Sequence, residues 1–239
     1  MTVHLDIYGR LESTTMDGLL RTDTELALAD RSPPTPVGCA SKRTLDLLLA
    51  LSGLLILAPL LLLCYFATMI SSPGPVIFRH RRVGFNGQRF NCLKFRTMAV
   101  DANERLQKLL ESDPEAAEEW RQTQKLRSDP RITLVGAALR KSSLDELPQL
   151  FNVLKGEMSI VGPRPVTEEE LSRYGHCSAE YLACRPGLTG LWQVSGRNTT
   201  TYDRRVALDS YYANNWSHRL DMRIILVTIP TLLTAYGAY

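Results

Sequence analysis

No C-x-x-C pair, no H-E-x-x-H and no cluster of His and Cys ligands occurs in the chain. Its five cysteines (Cys39, Cys64, Cys92, Cys177, Cys184) are odd in number, and its four histidines (His4, His80, His176, His218) are scattered. These absences argue against a zinc ribbon, a transition-metal centre and a disulfide framework, and they fit a reducing compartment. A large excess of one charge is also missing. The formal net charge is +3 over 239 residues, which speaks against a dedicated nucleic-acid binder. Residues 1–40 lack the basic start, apolar middle and small-residue cleavage site of a signal peptide. The chain has no internal repeat. What is left is enough length for one globular domain with a real core, plus appendages.

The first of these appendages is a polar, mildly acidic leader, residues 1–40, closing on the breaker run Arg31-Ser-Pro-Pro-Thr-Pro36. Residues 41–75 come next as an anchor. Ser41-Lys-Arg43 precedes an apolar stretch from Leu47 to Ile70, about 24 residues and so about 36 Å of helix, against a bilayer core of about 30 Å. The stretch is apolar all round, unlike the one-sided stripe of a surface helix in a soluble protein. Ala58-Pro59 lies at its midpoint, where proline removes a backbone hydrogen bond and kinks the helix. Basic residues flank both ends: Lys42 and Arg43 before, Arg79, Arg81 and Arg82 after. Lys and Arg mark cytoplasmic flanks. The combination predicts a re-entrant helix hairpin that enters one leaflet and returns. A single pass is the alternative, since spanning helices also tolerate proline.

Residues 76–239 read as a globular domain at the membrane surface. Val76-Ile-Phe78 and Arg89–Phe95 flank Asn86-Gly87, which predicts a β-hairpin on a type I′ turn. Residues 101–127 predict two charged amphipathic helices broken at Asp113-Pro114. Helical pattern resumes at Leu134–Leu139 and at Leu147–Leu154. From Arg185 to Arg197 the glycines and proline predict a loop. Ile224–Leu233 is apolar but too short to span, and contains Pro230; it reads equally as a core or an interfacial helix. The fold class is α-rich α+β, a monotopic membrane protein with a re-entrant N-terminal hairpin, surface amphipathic helices and a small β-hairpin.

The chemistry concentrates around Asp145-Glu146, in Leu139-Arg-Lys-Ser-Ser-Leu-Asp-Glu-Leu-Pro-Gln-Leu150. A purely structural account is available. Ser143-Leu-Asp-Glu146 has the form of a capping box, and Pro148 suits the first turn of a helix beginning near Asp145. The company of arginines and lysine supports a second account. Arg140 lies five residues upstream, Arg164 in Val161-Gly-Pro-Arg-Pro165, Arg197 at the end of the glycine-rich stretch, and Lys94 and Arg96 in Lys94-Phe-Arg-Thr-Met98. Guanidinium forks match phosphate oxygens, and glycines let backbone approach a ligand. A carboxylate can attack a phosphoryl group, and one or two carboxylates commonly hold the Mg²⁺ of a diphosphate substrate. From the residues alone both accounts stand.

Four runs, in order, resemble the bacterial sugar transferases, the monotopic polyprenyl-phosphate phosphoglycosyl transferases. They are Lys94-Phe-Arg-Thr-Met98, Ser143-Leu-Asp-Glu-Leu-Pro-Gln149, Gly156-Glu-Met-Ser-Ile-Val-Gly-Pro-Arg-Pro165 and Arg185-Pro-Gly-Leu-Thr-Gly-Leu-Trp-Gln-Val-Ser-Gly-Arg197. The resemblance covers about residues 41–239 and is nearest to the branch that starts exopolysaccharide repeat units with galactose or glucose. It implies that residues 76–239 are a cytoplasmic catalytic domain on the bacterial inner membrane. Asp145 resembles the nucleophile that takes a sugar phosphate from a UDP-sugar, releasing UMP, before undecaprenyl phosphate collects it. Glu146 resembles its dyad partner, acting with Mg²⁺ or the acceptor. Lys94, Arg96, Arg140, Arg164 and Arg197 are the implied phosphate and substrate contacts, with Asp145 and Glu146 as metal ligands. The partners are the donor, the acceptor and the bilayer, without nucleic acid; a homo-oligomer is allowed but not specified. One departure is Ala58-Pro59, where several members carry Ser-Pro. The competing expectation is a catalytically inactive scaffold of a polysaccharide assembly complex, which the intact Asp145-Glu146 pair disfavours.

Overall fold

The computed structural model describes residues 37–123, 126–196 and 201–233. The leader up to residue 36 and Arg197 lie outside the described residues. The apolar stretch forms one helix, α1 (Ala40–Ser71), with Pro59 inside it. Among the described residues it alone is long and apolar enough to cross a membrane, and only 11% of its most apolar window is buried. That exposure separates it from the core helix of a soluble protein. Its buried positions, Lys42, Asp46, Ala50, Cys64 and Thr68, fall at helical spacing along one face.

That face packs on the globular domain in both halves of the helix. Ala50 joins Phe90, Cys92, Leu150, Val153 and Met158 in one core cluster. Cys64 joins Val76, Phe95 and Leu139 in another. At its start, Lys42 Nζ meets Asp221 Oδ2 at 2.7 Å and donates to the Val161 carbonyl at 3.1 Å. Arg43 donates to the carbonyls of Val153 and Leu154 at 2.7 and 3.0 Å. The basic flank read at Lys42 and Arg43 thus has its partners within the domain. Both are spent inside the protein, where a buried ammonium needs a carboxylate and free helix-end carbonyls need donors.

The chain then forms an antiparallel hairpin, β1 (Ile77–Val83) and β2 (Arg89–Phe95), with Val83 opposite Arg89. The connection is therefore five residues, not a two-residue turn. Asn86 and Gly87 still take the positive φ expected of them, 55° and 74°, the region in which Asn and Gly are least penalised. Helices α2 (Ala102–Ser112) and α3 (Pro114–Thr123) come after the hairpin. They part at Asp113, whose side chain accepts from the backbone N–H of Glu115 and Ala116 at 2.9 and 3.0 Å. Asp as cap and Pro in the first helical position is the expected pairing.

Next come α4 (Leu134–Lys141), a single 3₁₀ turn at Leu144–Glu146, α5 (Gln149–Lys155) and the short strand β3 (Ser159–Val161). α6 (Glu168–Ser172) and α7 (Ser178–Leu182) precede β4 (Gly187–Thr189), which pairs parallel with β3. The chain continues through α8 (Leu191–Val194), α9 (Tyr202–Asn214) and α10 (His218–Leu233). The stretch read as a loop from Arg185 thus holds a strand and a helical turn. Its glycines serve backbone packing against Gly162: a Cβ on Gly187 would collide with the Gly162 main chain, and one on Gly190 with the Gly162 carbonyl. The C-terminal helix enters the core at one position and leaves apolar side chains open at others. Ile224 is buried, while Met222, Leu226 and Ile229 are exposed.

Candidate active site

Asp145 sits on the 3₁₀ turn between α4 and α5, and the local backbone explains why. Ser143 has φ +57°, a left-handed residue that ends the run from α4; it makes no side-chain cap bond to the 3₁₀ turn after it. The predicted capping box is therefore absent. Helix α5 begins only at Gln149, with Pro148 in the capping position. A capping box does occur, at Thr167 and Glu170 at the start of α6. The acidic pair is relieved of a capping duty.

Asp145 is 9% exposed, and its side chain accepts no hydrogen bond from another described side chain. Lys94 Nζ, from β2, stands 3.9 Å from Asp145 Oδ2 and 2.6 Å from Glu146 Oε1. The lysine is thus committed to Glu146 and only leans on Asp145. Burial pushes the Asp145 carboxyl up to about 6; Lys94 and then Arg140 pull it back, while Glu146 pushes further. At neutral pH it is largely ionised, desolvated and short of donors, the condition in which a carboxylate oxygen is most nucleophilic.

Arg140, at the end of α4, is half-buried and donates Nε to Thr97 Oγ1 at 2.8 Å, so Thr97 aims it. Helix α4 can approach Thr97 only because Gly136 has no Cβ, which would collide with the Thr97 carbonyl. Arg96 behaves otherwise. Its Nη2 donates to the Ser72 carbonyl at 2.5 Å and its Nη1 is buried without a partner among the described residues. It ties the end of α1 to β2, and the structure does not bring it to the pocket beside Asp145.

Arg164 lies just beyond β3, its guanidinium 5.5 Å from the centre of the Trp192 ring. Arg205, from α9, faces the same ring at 5.0 Å and pairs with Glu170 at 3.6 Å. Arg82 holds Glu170 at 2.6 Å. Between these groups and the dyad lies a small polar recess lined by Arg82, Cys92, Lys94, Glu146, Gln149, Arg164, Pro165, Gly187, Leu188 and Gln193. Lys94, Glu146 and Arg164 are thus brought together as the sequence predicts. Arg82, Gln149, Gln193, Thr97 and Arg205 were not anticipated. Of these, Thr97, Gln149 and Gln193 lie inside the resembling runs and could have been flagged; Arg205, in Tyr202-Asp-Arg-Arg-Val206, carries no motif.

A family model described as bacterial sugar transferase matches residues 37–235. The chain belongs to the bacterial sugar transferase family. It is a transferase, and its relatives carry polysaccharide-related names. Over 204 residues it is 52% identical to the exopolysaccharide production protein ExoY of Sinorhizobium fredii, covering 85% of this chain and 90% of that one. An undecaprenyl-phosphate galactose phosphotransferase of Salmonella typhimurium is 49% identical over 83% of this chain, which spans 41% of that longer protein. A UDP-glucose:undecaprenyl-phosphate glucose-1-phosphate transferase of Caulobacter vibrioides is 40% identical, covering 98% of this chain and 85% of the relative. For this transferase the family match takes in the whole of α1, so the apolar helix is part of the family's unit and not an addition to it.

Proposed function

We propose that the transferase moves a sugar 1-phosphate, galactose or glucose 1-phosphate, from a UDP-sugar to undecaprenyl phosphate, as the first step of an exopolysaccharide repeat unit. The observation that carries this reading is the state of Asp145: buried, largely ionised at neutral pH, without a side-chain donor, and flanked by Lys94 and Arg140. In the first step an Asp145 oxygen attacks the β-phosphorus of the donor. The bond from that phosphorus to the bridging oxygen breaks and UMP leaves with the electron pair. In the second step an acceptor phosphate oxygen attacks the same phosphorus and the Asp145 carboxylate is restored. The acceptor's second pKa is near 6, so it needs little help from a base.

The cations offset charge where two anionic substrates meet. Lys94 and Arg140 serve the reacting phosphate; Arg164, which makes no ion pair among the described residues, offers its fork to the donor diphosphate. Arg197 is assigned with them on the resemblance alone. Mg²⁺ fits the donor set of Asp145 and Glu146, since this ion takes one or two carboxylates and completes its shell with substrate phosphates and water. When bound it supplies neutralisation of the diphosphate charge. Among the described residues no group of three or more His, Cys, Asp or Glu could hold a metal without substrate.

The same reading places α1 as a re-entrant anchor in the bacterial inner membrane, with the domain on the cytoplasmic face. Support comes from Pro59 at the midpoint and from contacts of both halves of α1 with one domain. A lipid-bound acceptor cannot leave the bilayer, so the site must come to it. The test is a half-reaction. Enzyme given labelled UDP-sugar and Mg²⁺ without acceptor should release about one UMP per site and keep the labelled sugar phosphate, as covalent ping-pong chemistry requires. Undecaprenyl phosphate should then carry the label away. UMP appearing only with acceptor present would replace the covalent step by direct attack.

A further inference from the structure

We infer that Gln149 recognises one hydroxyl group of the sugar being transferred, a reading that rests on the proposed UDP-sugar chemistry. Gln149 opens α5 and is 3% exposed. A side chain so buried ordinarily has its amide satisfied, yet this amide makes no hydrogen bond among the described residues. It lines the recess together with Lys94, Glu146, Arg164 and Gln193. Gln193, on the facing helix α8, is tied by its Nε2 to the Leu188 carbonyl at 3.4 Å. Gln149 is a wall residue with its whole amide left to offer.

Size and chemistry select the ligand group. The recess has room for about 20 Å³, where a single water takes about 10–15 Å³ by the same measure. One hydroxyl fills it, beside the Lys94 and Arg164 side chains assigned to the phosphates. A hydroxyl both donates and accepts, as a primary amide does, whereas a phosphate would leave the amide oxygen facing another oxygen. Position agrees. Gln149 lies four residues after Asp145 in the chain, past the 3₁₀ turn and Pro148, and Lys94 touches both the recess and the dyad. A sugar attached to the phosphate that Asp145 attacks brings its hydroxyls to this side of the dyad.

The experiment measures UMP release by the full-length enzyme in detergent, using the hexose donor it turns over and the four UDP-monodeoxyhexoses lacking the 2-, 3-, 4- or 6-hydroxyl. Release with the parent donor by wild-type enzyme tests the underlying reaction independently. One deoxy donor should lose about 10-fold in kcat/KM, the worth of one neutral hydrogen bond in a buried site. Gln149→Met should lose about 10-fold with the parent donor, show no further loss with that same deoxy donor, and keep wild-type affinity for UMP. The interaction between the two deletions then isolates the contact. Gln149→Asn, which keeps the amide but withdraws it by one methylene, should behave alike and serves if the methionine variant does not fold. The inference is overturned if every deoxy penalty is the same in wild type and variant, or if UMP affinity falls along with that of the donor.

Discussion

Asp221 and Asp145 are both buried carboxylates with a lysine nearby, at 1% and 9% exposure. Asp221 is saturated: Lys42 reaches one oxygen at 2.7 Å, Trp216 Nε1 donates to the same oxygen at 3.1 Å, and Tyr212 donates to the other at 2.8 Å. Asp145 has its lysine at 3.9 Å and no other side-chain donor among the described residues. The first pattern fastens α1 to the domain; the second leaves lone pairs open, as the proposed attack on phosphorus requires. Burial alone therefore says little about function. On the proposed mechanism, the number of donors a buried carboxylate collects separates a clasp from a nucleophile.

The largest expected effects come from exchanging each carboxylate for its amide. Asp145→Asn should lower turnover on the order of 1,000-fold or more while leaving the fold intact. Asp221→Asn should leave turnover per folded molecule near wild type but cost about 3–5 kcal/mol, because Lys42 is left buried and unpaired. Turnover and chemical denaturation of both variants in one detergent separate the two roles. A stable but inactive Asp221→Asn would break the division.

A smaller effect has the opposite sign to the usual cost of mutation. Asp145 titrates near 6 in the folded protein against 3.8 for the ordinary group. A raised folded value means stability is fully present below the unfolded pKa and is lost as pH rises through about 6. Asp145→Asn should then stabilise the protein by about 1–3 kcal/mol at pH 7.5 and by nothing at pH 4. Denaturant midpoints at the two pH values decide it.

Lys94 sharpens the contrast from the other partner. It is the largest influence lowering the Asp145 value, so Lys94→Gln should move the acid limb of UMP release upward from about 6. The variant should lose about 5- to 10-fold more rate at pH 6 than at pH 8. A limb that stays in place would detach Lys94 from the titration of Asp145.

The smallest effect distinguishes capping from chemistry. Thr167→Ala removes a capping box actually present and should cost about 1 kcal/mol without changing turnover. Ser143→Ala should change stability by less than about 0.5 kcal/mol, because Ser143 caps nothing. An equal cost from both would restore the capping account of Ser143-Leu-Asp-Glu146.

Local signals were legible because they depend on neighbours in the chain. Asn86-Gly87 takes its left-handed turn, Asp113-Pro114 parts two helices, and the apolar run from Leu47 becomes a helix too exposed for a soluble core. The dyad and most of its cations were also readable, since each lies in a compact motif. The strands β3 and β4 were not. Each has three residues, the pair is parallel, and 25 residues separate the end of one from the start of the other, so no periodicity announces them.

The sequence by itself determined the family, the apolar helix and the identity of the acidic pair, because these reside in contiguous residue types. Only the tertiary structure decided what the charges do. Lys42 and Arg43 read as membrane flanks and are interior ties; Arg96 reads as a phosphate contact and binds the Ser72 carbonyl; Arg205 carries no motif and shares Trp192 with Arg164. A charged side chain in a chain of letters has no partner. Whether it meets a carboxylate, a carbonyl or a substrate depends on long-range packing, and at Asp145 that packing withholds the donors that Asp221 receives.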